Sequence, residues 1–291
     1  MLVIRAPYPD AGATSRNKTM GDIPGLIGYH TVLDPALYTI DSNNKLSQWR
    51  AKQGNTVLNQ ASASRQMTYS PSVASIGDKP AFLFASGNRM DFADPSVFPQ
   101  NTTGHTVVLL YRGTVQKQNV LLLSWGSGAG PWRLTGYGNT GTNTWAALPQ
   151  GDHSSTNSAL NTTSIMVHTL GTGSAPVSTH YLNGGAGQTK AFGSATSNGA
   201  TAAAIGYTSF YDVLDAEGVI LEGFAVFAGE LSTANRQDAE GIIAWEHGQQ
   251  GLLTGGPYMT SRPTVTAAND NIAFLRRSVQ RKIYLPSRLA A

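Results

Sequence analysis

The sequence predicts an all-β fold: a two-sheet antiparallel sandwich of jelly-roll type, with one helix near its C-terminal end and extended terminal arms. The 32 glycines and the low share of charged residues, 13%, favour short strands joined by turns over long helices. Strand-like runs recur roughly every 8–15 residues with turn residues between them, as in all-β sandwiches. Because no helices separate these runs, sequential strands should pair antiparallel rather than form βαβ units.

Apolar or alternating runs bounded by Gly and polar residues mark the expected strands. The residues between the second and third runs, ASGN at 85–88, are typical of a hairpin turn. In chain order the runs are KLSQWRA (45–51), AFLF (81–84), RMDF (89–92), HTVVLLYRG (105–113), NVLLLSWG (119–126), WRLTGYG (132–138), NTWAALP (143–149), TSIMVHTLG (163–171), VSTHYLNG (177–184), AAAIGYTS (202–209) and VILEGFAVFAG (219–229).

One helix is expected directly after the last strand. Ser232 has a hydroxyl that can cap the helix, TANRQDAEGIIAWEHG follows, and Gly248 is a natural C-terminal stop. Its apolar stripe, which includes Ile242 and Trp245, is narrow. The pattern predicts a helix that covers one edge or end of a finished sandwich.

The chain ends predict assembly arms around a single domain. Residues 1–23 are Pro- and Gly-rich without periodicity and indicate an extended N-terminal arm; 24–250 should form the sandwich domain and 251–291 a C-terminal assembly tail. The tail is basic and apolar, and its apolar side chains cannot all bury themselves, which indicates a partner interface. The expected assembly residues are Phe274, Leu275, Arg276, Arg277, Arg281, Lys282 and Tyr284.

Composition excludes several classes of function. The net charge is +3, and the body of the chain has no basic stripe with interleaved aromatics, so no nucleic-acid partner is expected. No apolar run approaches a membrane span of about 18 residues. Cysteine is absent, so neither disulfides nor thiolate metal sites contribute.

Two groups of motifs carry a resemblance to a known family. They are LDPALYTIDSNNKLSQWRAKQGN (33–55) followed by RQMTYSPSVASIGDKPAFLFASGNRMDF (65–92), and the strand–LST–helix–AWEHG ending. This combination resembles concanavalin A-like, laminin-G-type jelly-roll domains, most of all those of bacteriophage structural proteins and large bacterial surface proteins. The resemblance spans about 24–250, with specific motifs at the two ends only. Asn235 stands where the family carries a capping acid.

The resemblance implies a non-enzymatic bacteriophage virion protein: a capsid decoration, fibre or tail-associated component, assembled in the host cytoplasm. It would dock on other virion proteins through its arms, as a homo-oligomer, and display a lectin-like domain to host surface polysaccharides. For glycan binding, the Gly-rich stretch 126–145 supplies stacking aromatics and amide partners for sugar hydroxyls. Its candidate ligands are Trp132, Tyr137, Asn139, Asn143 and Trp145, with core packing of a Trp as the alternative.

The alternative function is a polysaccharide-degrading glycosidase on the same sandwich. Such an enzyme needs two carboxylates across one cleft. The candidates are Asp215, Glu217 and Glu222, of which Glu222 should point to the opposite face of its strand from the other two. No catalytic residue is therefore assigned.

No cofactor or metal site is predicted. Asp152, Asp212 and Asp215 could supply oxygens to Ca²⁺, but no run has the dense Asp/Asn spacing of a dedicated loop, and turn formation is the favoured interpretation. The six histidines form no i, i+4 helical pair, and no phosphate-binding loop or nucleophile elbow occurs. His168 and His180 are expected as cross-strand neighbours.

Overall fold

The computed structural model describes residues 15–100, 103–115, 120–126, 132–139, 142–148, 154–173, 176–191, 202–206 and 216–266, and in the strands between 132 and 158 the backbone alone. The chain divides into two compact units. The larger unit is Thr19–Arg262, and the smaller one combines the residues up to Lys18 with those from Pro263 onward.

Antiparallel strands dominate the described ranges. They are β1 Ser15–Asn17, β2 Leu26–Thr31, β3 Tyr38–Ile40, β4 Leu46–Arg50, β5 Gln53–Gly54, β6 Val57–Asn59, β7 Thr68–Val73, β8 Lys79–Leu83, β9 Met90–Phe92, β10 His105–Gly113, β11 Val120–Trp125, β12 Trp132–Asn139, β13 Thr142–Leu148, β14 Ser154–Ala159, β15 Thr163–Leu170, β16 Val177–Leu182, β17 Gln188–Ala191, β18 Ala203–Ile205, β19 Val219–Ala228 and β20 Thr264–Thr266. The α-helix of this part of the chain, α1, is Thr233–Glu246. Short 3-10 helices occur at Met20–Asp22, Pro35–Leu37, Ala63–Arg65, Ala74–Ile76, Pro95–Val97 and Gln250–Leu252.

Two sheets build the larger unit. Sheet 1 runs in the order β17-β16-β15-β10-β19-β2-β5, with β8 also paired to β19 and β7 to β8. Sheet 2 runs in the order β14-β13-β12-β11-β18-β9-β6-β4-β3. Each has nine strands within the described ranges. The all-β sandwich with a single helix is thus confirmed.

Sheet 1 is buried on both faces. Val107 and Leu109 of β10 belong to the core between the sheets, whereas Val108 and Leu110 belong to a second core that includes Ile242 of the helix. A strand covered on both faces has apolar residues in succession rather than in alternation. That explains the continuous apolar run of β10, which the sequence already displays.

The helix begins and ends where the sequence predicts, but it packs on the outer face of sheet 1 and not at an edge or end of the sandwich. The Ser232 hydroxyl accepts a hydrogen bond from the Asn235 amide at 3.3 Å, and Gly248 ends the helix with φ of 60°. The Lys79 Nζ of β8 then donates to the carbonyls of His247, at 2.5 Å, and Gly248, at 3.0 Å. A cation at this end offsets the negative pole of the helix and satisfies its last carbonyls.

The expected hairpin turn at ASGN is wrong. Strand β8 belongs to sheet 1 and β9 to sheet 2, so residues 85–88 carry the chain from one sheet to the other. The segment is still a tight turn, because the Ala85 amide donates to the Asn88 side chain at 2.7 Å and Gly87 has φ of 81°. Turn chemistry therefore appears in the sequence, but it does not specify which strands pair.

Within the described ranges, sequential strands pair in β3–β4, β7–β8, β11–β14 and β15–β17, but β10 pairs with neither of the strands next to it in the chain. Strand β10 pairs with β15 on one side and with β19 on the other. The partners of this central strand lie far along the chain, and local pattern carries no information about them.

The boundaries predicted at residues 23 and 250 remain predictions, yet residues beyond each of them are part of the core. Met20 and Ile23 are buried beside the helix, and so is Leu253 on the C-terminal side. The Trp245 indole also donates to the carbonyl of Tyr258 at 2.9 Å. The helix layer therefore includes residues from both ends of the larger unit.

Met20→Ala should lower the free energy of unfolding by about 2–4 kcal/mol, because it leaves a cavity in a fully buried site. The matched control is Met259→Ala, since Met259 is 48% exposed and its truncation should change stability by less than about 0.5 kcal/mol. Urea titration of both variants measures the difference. Equal stabilities of the two variants would contradict the core position of Met20.

Candidate functional site

The stretch predicted to bind glycans forms a β-hairpin at one end of sheet 2. Trp132 pairs with Trp125 of β11, and the hairpin register sets Trp145 opposite Gly136 and Asn143 opposite Gly138. Tyr137 and Asn139 lie on β12, opposite Thr144 and Thr142. The backbone thus brings all five predicted ligands onto two adjacent strands. Their side chains lie outside what the structure describes, so their role in glycan binding stays a prediction.

Aromatic side chains elsewhere in the described ranges fill the core between the sheets. Trp49 is fully buried, and its ring centroid lies 4.7 Å from that of Phe82 and 5.5 Å from that of Phe224. Its indole N–H donates to the carbonyl of Thr31 at 3.2 Å. A buried indole with its donor satisfied packs the core and offers no platform to a ligand.

The acidic candidate Glu222 is fully buried under the end of the helix. It is the extra residue of a β-bulge in β19, because Leu110 of β10 pairs with Gly223 and Tyr111 pairs with Leu221. The bulge directs Glu222 towards His247, with 3.6 Å between the carboxylate Oε2 and the imidazole Nδ1. No polysaccharide can reach a carboxylate in this position.

A hydroxyl, an imidazole and a carboxylate meet at this point. The His247 Nε2 lies 3.1 Å from the Thr31 hydroxyl, and its Nδ1 faces Glu222. This order is that of a nucleophilic triad. However, Thr31 has no exposed surface and His247 is 2% exposed, so no substrate carbonyl can approach the hydroxyl. The three side chains instead link β2, β19 and the end of the helix.

Four other carboxylates were considered for catalysis or Ca²⁺ binding. Glu217 is half-buried in the turn before β19. Asp152, Asp212 and Asp215 lie outside the described residues. Within the described ranges no group of three or more His, Asp or Glu side chains is arranged to hold a metal ion.

Three buried histidines form a row on the inner face of sheet 1. His168 and His180 are cross-strand neighbours, as predicted, with 3.2 Å between His168 Nδ1 and His180 Nε2. His105 lies beside them, its ring centroid 5.4 Å from that of His168 and 4.7 Å from that of Trp125. Burial lowers the pKa of His105 to about 3. It also lowers the pKa of His168, with smaller contributions from His180 and His105.

The contribution of His105 to this row is not evident in the sequence. The spacing of two residues between His105 and Val107 shows that their side chains share one face of β10. Only the fold, however, places β10 beside β15 and so brings His105 next to His168. Because burial lowers the pKa of His105 and of His168, these two imidazoles are uncharged at neutral pH. They therefore supply hydrogen-bonding groups to the core at no cost in buried charge.

A second polar cluster lies on the helix. Arg236 and Glu240, four residues apart, form a buried ion pair at 2.7 Å, and the Arg236 guanidinium lies 3.9 Å from the ring centroid of Tyr181. Burial raises the pKa of Glu240 to about 7, against the opposing effect of Arg236. Beside them the Tyr258 hydroxyl donates to Asp238. The hydrogen bond to Asp238, together with the one from the Trp245 indole to the Tyr258 carbonyl, holds Tyr258 on the helix. The i, i+4 spacing of the pair was a signal available in the sequence.

The predicted assembly residues Phe274, Leu275, Arg276, Arg277, Arg281, Lys282 and Tyr284 lie outside the described residues. The chain leading to them is held on the helix. Arg262, the last residue of the larger unit, lies 3.3 Å from Glu246, which also accepts a hydrogen bond from the Tyr29 hydroxyl at 2.9 Å and pairs with Lys52.

No protein-family model matches the sequence, and no curated protein matches it either. Solved structures match by fold. The binding domain of Paraclostridial Mosquitocidal Protein 1 is 12% identical with a TM-score of 0.53, over 77% of this chain and 53% of that chain. The receptor binding domain of botulinum neurotoxin D is 13% identical with a TM-score of 0.52, over 80% of this chain and 54% of that chain.

A mutant of Trypanosoma rangeli sialidase displaying trans-sialidase activity is 14% identical with a TM-score of 0.50, over 77% of this chain and 33% of that chain. This chain thus spans about half of the two binding-domain chains and about a third of the sialidase. At these identities the similarity establishes a shared β-sandwich fold. Function must be argued from residues.

Across the part of the chain that the structure describes, no helix has the length and apolar character needed to cross a membrane.

The buried histidines predict destabilisation in acid. Burial lowers the pKa of His30 and of His105 to about 3, below the ordinary 6.5, so the unfolded chain binds more protons between these values. Stability should fall as pH drops from 6.5 towards 3, by roughly 3 kcal/mol per histidine at pH 4.5. The free energy of unfolding of the unmodified protein should fall between pH 7.5 and pH 4.5. In His30→Gln this fall should be smaller by the contribution of one histidine.

The control is Thr56→Val, which removes the hydroxyl 2.8 Å from the His30 Nε2 but leaves the imidazole. Because burial is the cause of the lowered pKa of His30, this variant should lose stability equally at both pH values. Urea titrations at pH 7.5 and 4.5 measure both effects. A His30→Gln variant with the acid dependence of the unmodified protein would show that His30 is protonated in the folded state.

Proposed function

We propose that this chain is a non-enzymatic bacteriophage virion protein, a capsid decoration, fibre or tail-associated component. It docks on other virion proteins through its two terminal arms and displays its β-sandwich, which binds host surface polysaccharide through the hairpin of β12 and β13.

The observation that carries the docking role is the pairing of the two chain ends. In the smaller unit β1 pairs antiparallel with β20, with Ser15 opposite Thr266 and Asn17 opposite Thr264. Residues separated by almost the whole length of the chain therefore lie next to each other in this ribbon. Two arms that leave together can engage one docking position on a particle, and binding by one raises the effective concentration of the other.

Within the larger unit, the residues that follow the N-terminal arm and precede the C-terminal one belong to a different layer from the hairpin. Met20 near its beginning and Leu253 near its end both pack in the core under the helix, on sheet 1. The β12–β13 hairpin belongs to sheet 2. In the proposed role, docking through the arms and binding through the hairpin therefore involve different parts of the chain.

A binding role agrees with the described residues better than a glycosidase does. A glycosidase needs two carboxylates that reach one sugar. Glu222 is buried against His247, and Glu217 lies in the turn before the strand. Of the proposed acids whose positions are described, none is paired with another across a cleft.

Trp132→Ala and Trp145→Ala should each weaken binding to host polysaccharide about tenfold or more, because each removes a surface on which a sugar ring stacks. Glycan arrays with the full chain identify the ligand, and calorimetry measures the affinity. Met259→Ala is the control and should bind normally. Thermal unfolding separates lost stacking from lost folding: a large drop in melting temperature with unchanged affinity of the folded fraction would assign the Trp to the core.

The virion role predicts that peptides of this chain occur in density-purified phage particles from the source that encodes it. Incorporation should fall when the cations of the tail are reversed, because the tail is a proposed docking element. The variant carries Arg276→Glu, Arg277→Glu, Arg281→Glu and Lys282→Glu. Its control carries Arg276→Lys, Arg277→Lys and Arg281→Lys and keeps the charge.

Quantitative mass spectrometry of the particles measures incorporation of each variant. Absence of the unmodified chain from particles would overturn the virion role. Normal incorporation of the charge-reversed variant would instead show that docking does not depend on these cations.

A further inference from the structure

The ribbon formed by β1 and β20 has an edge suited to a second copy of this chain. We infer that two copies associate through β20, antiparallel about a two-fold axis at Val265, to form a four-stranded sheet in the order β1-β20-β20-β1. The inference rests on the proposed docking role of the termini and specifies how the arms pair.

The ribbon is short. It has two strands of three residues, and no third strand pairs with it among the described residues. A two-stranded ribbon of this length is marginally stable in water, and an additional strand stabilises it. A sheet edge with unsatisfied backbone groups is a template for that strand.

The backbone register shows which groups face outward. The Lys18 amide donates to the carbonyl of Pro263 at 2.8 Å, so this pair is hydrogen-bonded across the ribbon. Hydrogen-bonded pairs alternate with non-bonded pairs along an antiparallel ladder. Arg16 and Val265 are therefore the next bonded pair. The N–H and C=O groups of Thr264 and Thr266 point away from β1, towards the free edge of β20.

The two edges of the ribbon differ in chemistry. The β20 edge reads Thr-Val-Thr, uncharged and β-branched throughout, which is favourable for strand pairing. The β1 edge reads Ser-Arg-Asn, and the Arg16 guanidinium donates to the carbonyl of Asn17 at 3.3 Å, on the outward side of that strand. Charged side chains at an edge oppose the addition of another strand. The β20 edge is thus the one left available.

The β20 edge is complementary to itself. With the two-fold axis at Val265, Thr264 of each copy lies opposite Thr266 of the other, and these bonded pairs exchange four N–H···O=C hydrogen bonds. The two Val265 residues then form the non-bonded pair, with their side chains in contact. The same operation on the β1 edge would set Arg16 opposite its own copy, where like charges repel. An isologous pair through β20 is therefore the arrangement that fits a second copy.

The first experiment measures the mass of the full chain in solution. Light scattering across a concentration series should give twice the chain mass of 30.7 kDa. Thr266→Pro removes an outward N–H from the β20 edge without touching the bonded pair of Arg16 and Val265, and should weaken the dimer at least tenfold. Asn17→Pro removes the equivalent N–H from the β1 edge and should leave the dimer intact.

The second experiment uses the absence of cysteine from the chain. Val265→Cys sets two thiols opposite each other in a non-bonded antiparallel pair, at a separation that a disulfide spans. Mild oxidation should yield a covalent dimer. Arg16→Cys lies on the outer strands of the four-stranded sheet, too far from its copy, and should remain monomeric on a denaturing gel.

A full chain that is monomeric at all concentrations would overturn the inference, as would a dimer unaffected by Thr266→Pro. Cross-linking of Arg16→Cys as readily as of Val265→Cys would also overturn it. These outcomes are distinct from failure of the virion role. A monomeric chain that is found in purified particles would support the proposed function and overturn this pairing. A β20-paired dimer that is absent from particles would support the pairing and overturn the proposed function.

Discussion

The structure of the larger unit depends on the burial of β19 on both faces. Phe224 and Val226 pack between the two sheets, and Ala225 and Phe227 pack under the helix. The same strand pairs with β10, β2 and β8, so it joins segments from both halves of the chain. Apolar burial is the main stabilising contribution to folding, and a strand that contributes to two cores couples them. Loss of packing on either face would affect both layers.

The bulge at Glu222 is the place where that strand departs from regular geometry. The extra residue shifts the alternation, so that Leu221 and Phe224 both face the core between the sheets. It also directs a carboxylate to the end of the helix. Gly223 is required beside it, because a Cβ there would lie 2.9 Å from the His30 carbonyl and 3.2 Å from the His247 ring. A polar residue in an apolar strand thus positions the helix and does not form a catalytic site.

Polar groups in the described core act in the same way. The row of His105, His168 and His180 is buried between the sheets, and Arg236 and Glu240 form a buried ion pair on the helix. Buried polar groups are tolerated when each finds a partner. Here they connect strands and layers through directional contacts, which apolar packing alone does not provide. The proposed function accordingly relies on the terminal arms and on the β12–β13 hairpin.

The sequence by itself determined the strands and the helix but not their partners. The run of β10, the run of β19 and the helix with its Ser232 cap are local patterns of hydrophobicity and hydrogen-bonding residues, and they appear where predicted. Only the tertiary structure decided that ASGN connects two sheets, that Met20 is in the core, that His105 joins the other histidines and that β1 meets β20. Each of these depends on residues far apart in the chain, and periodicity within a segment carries no information about which distant segment covers it.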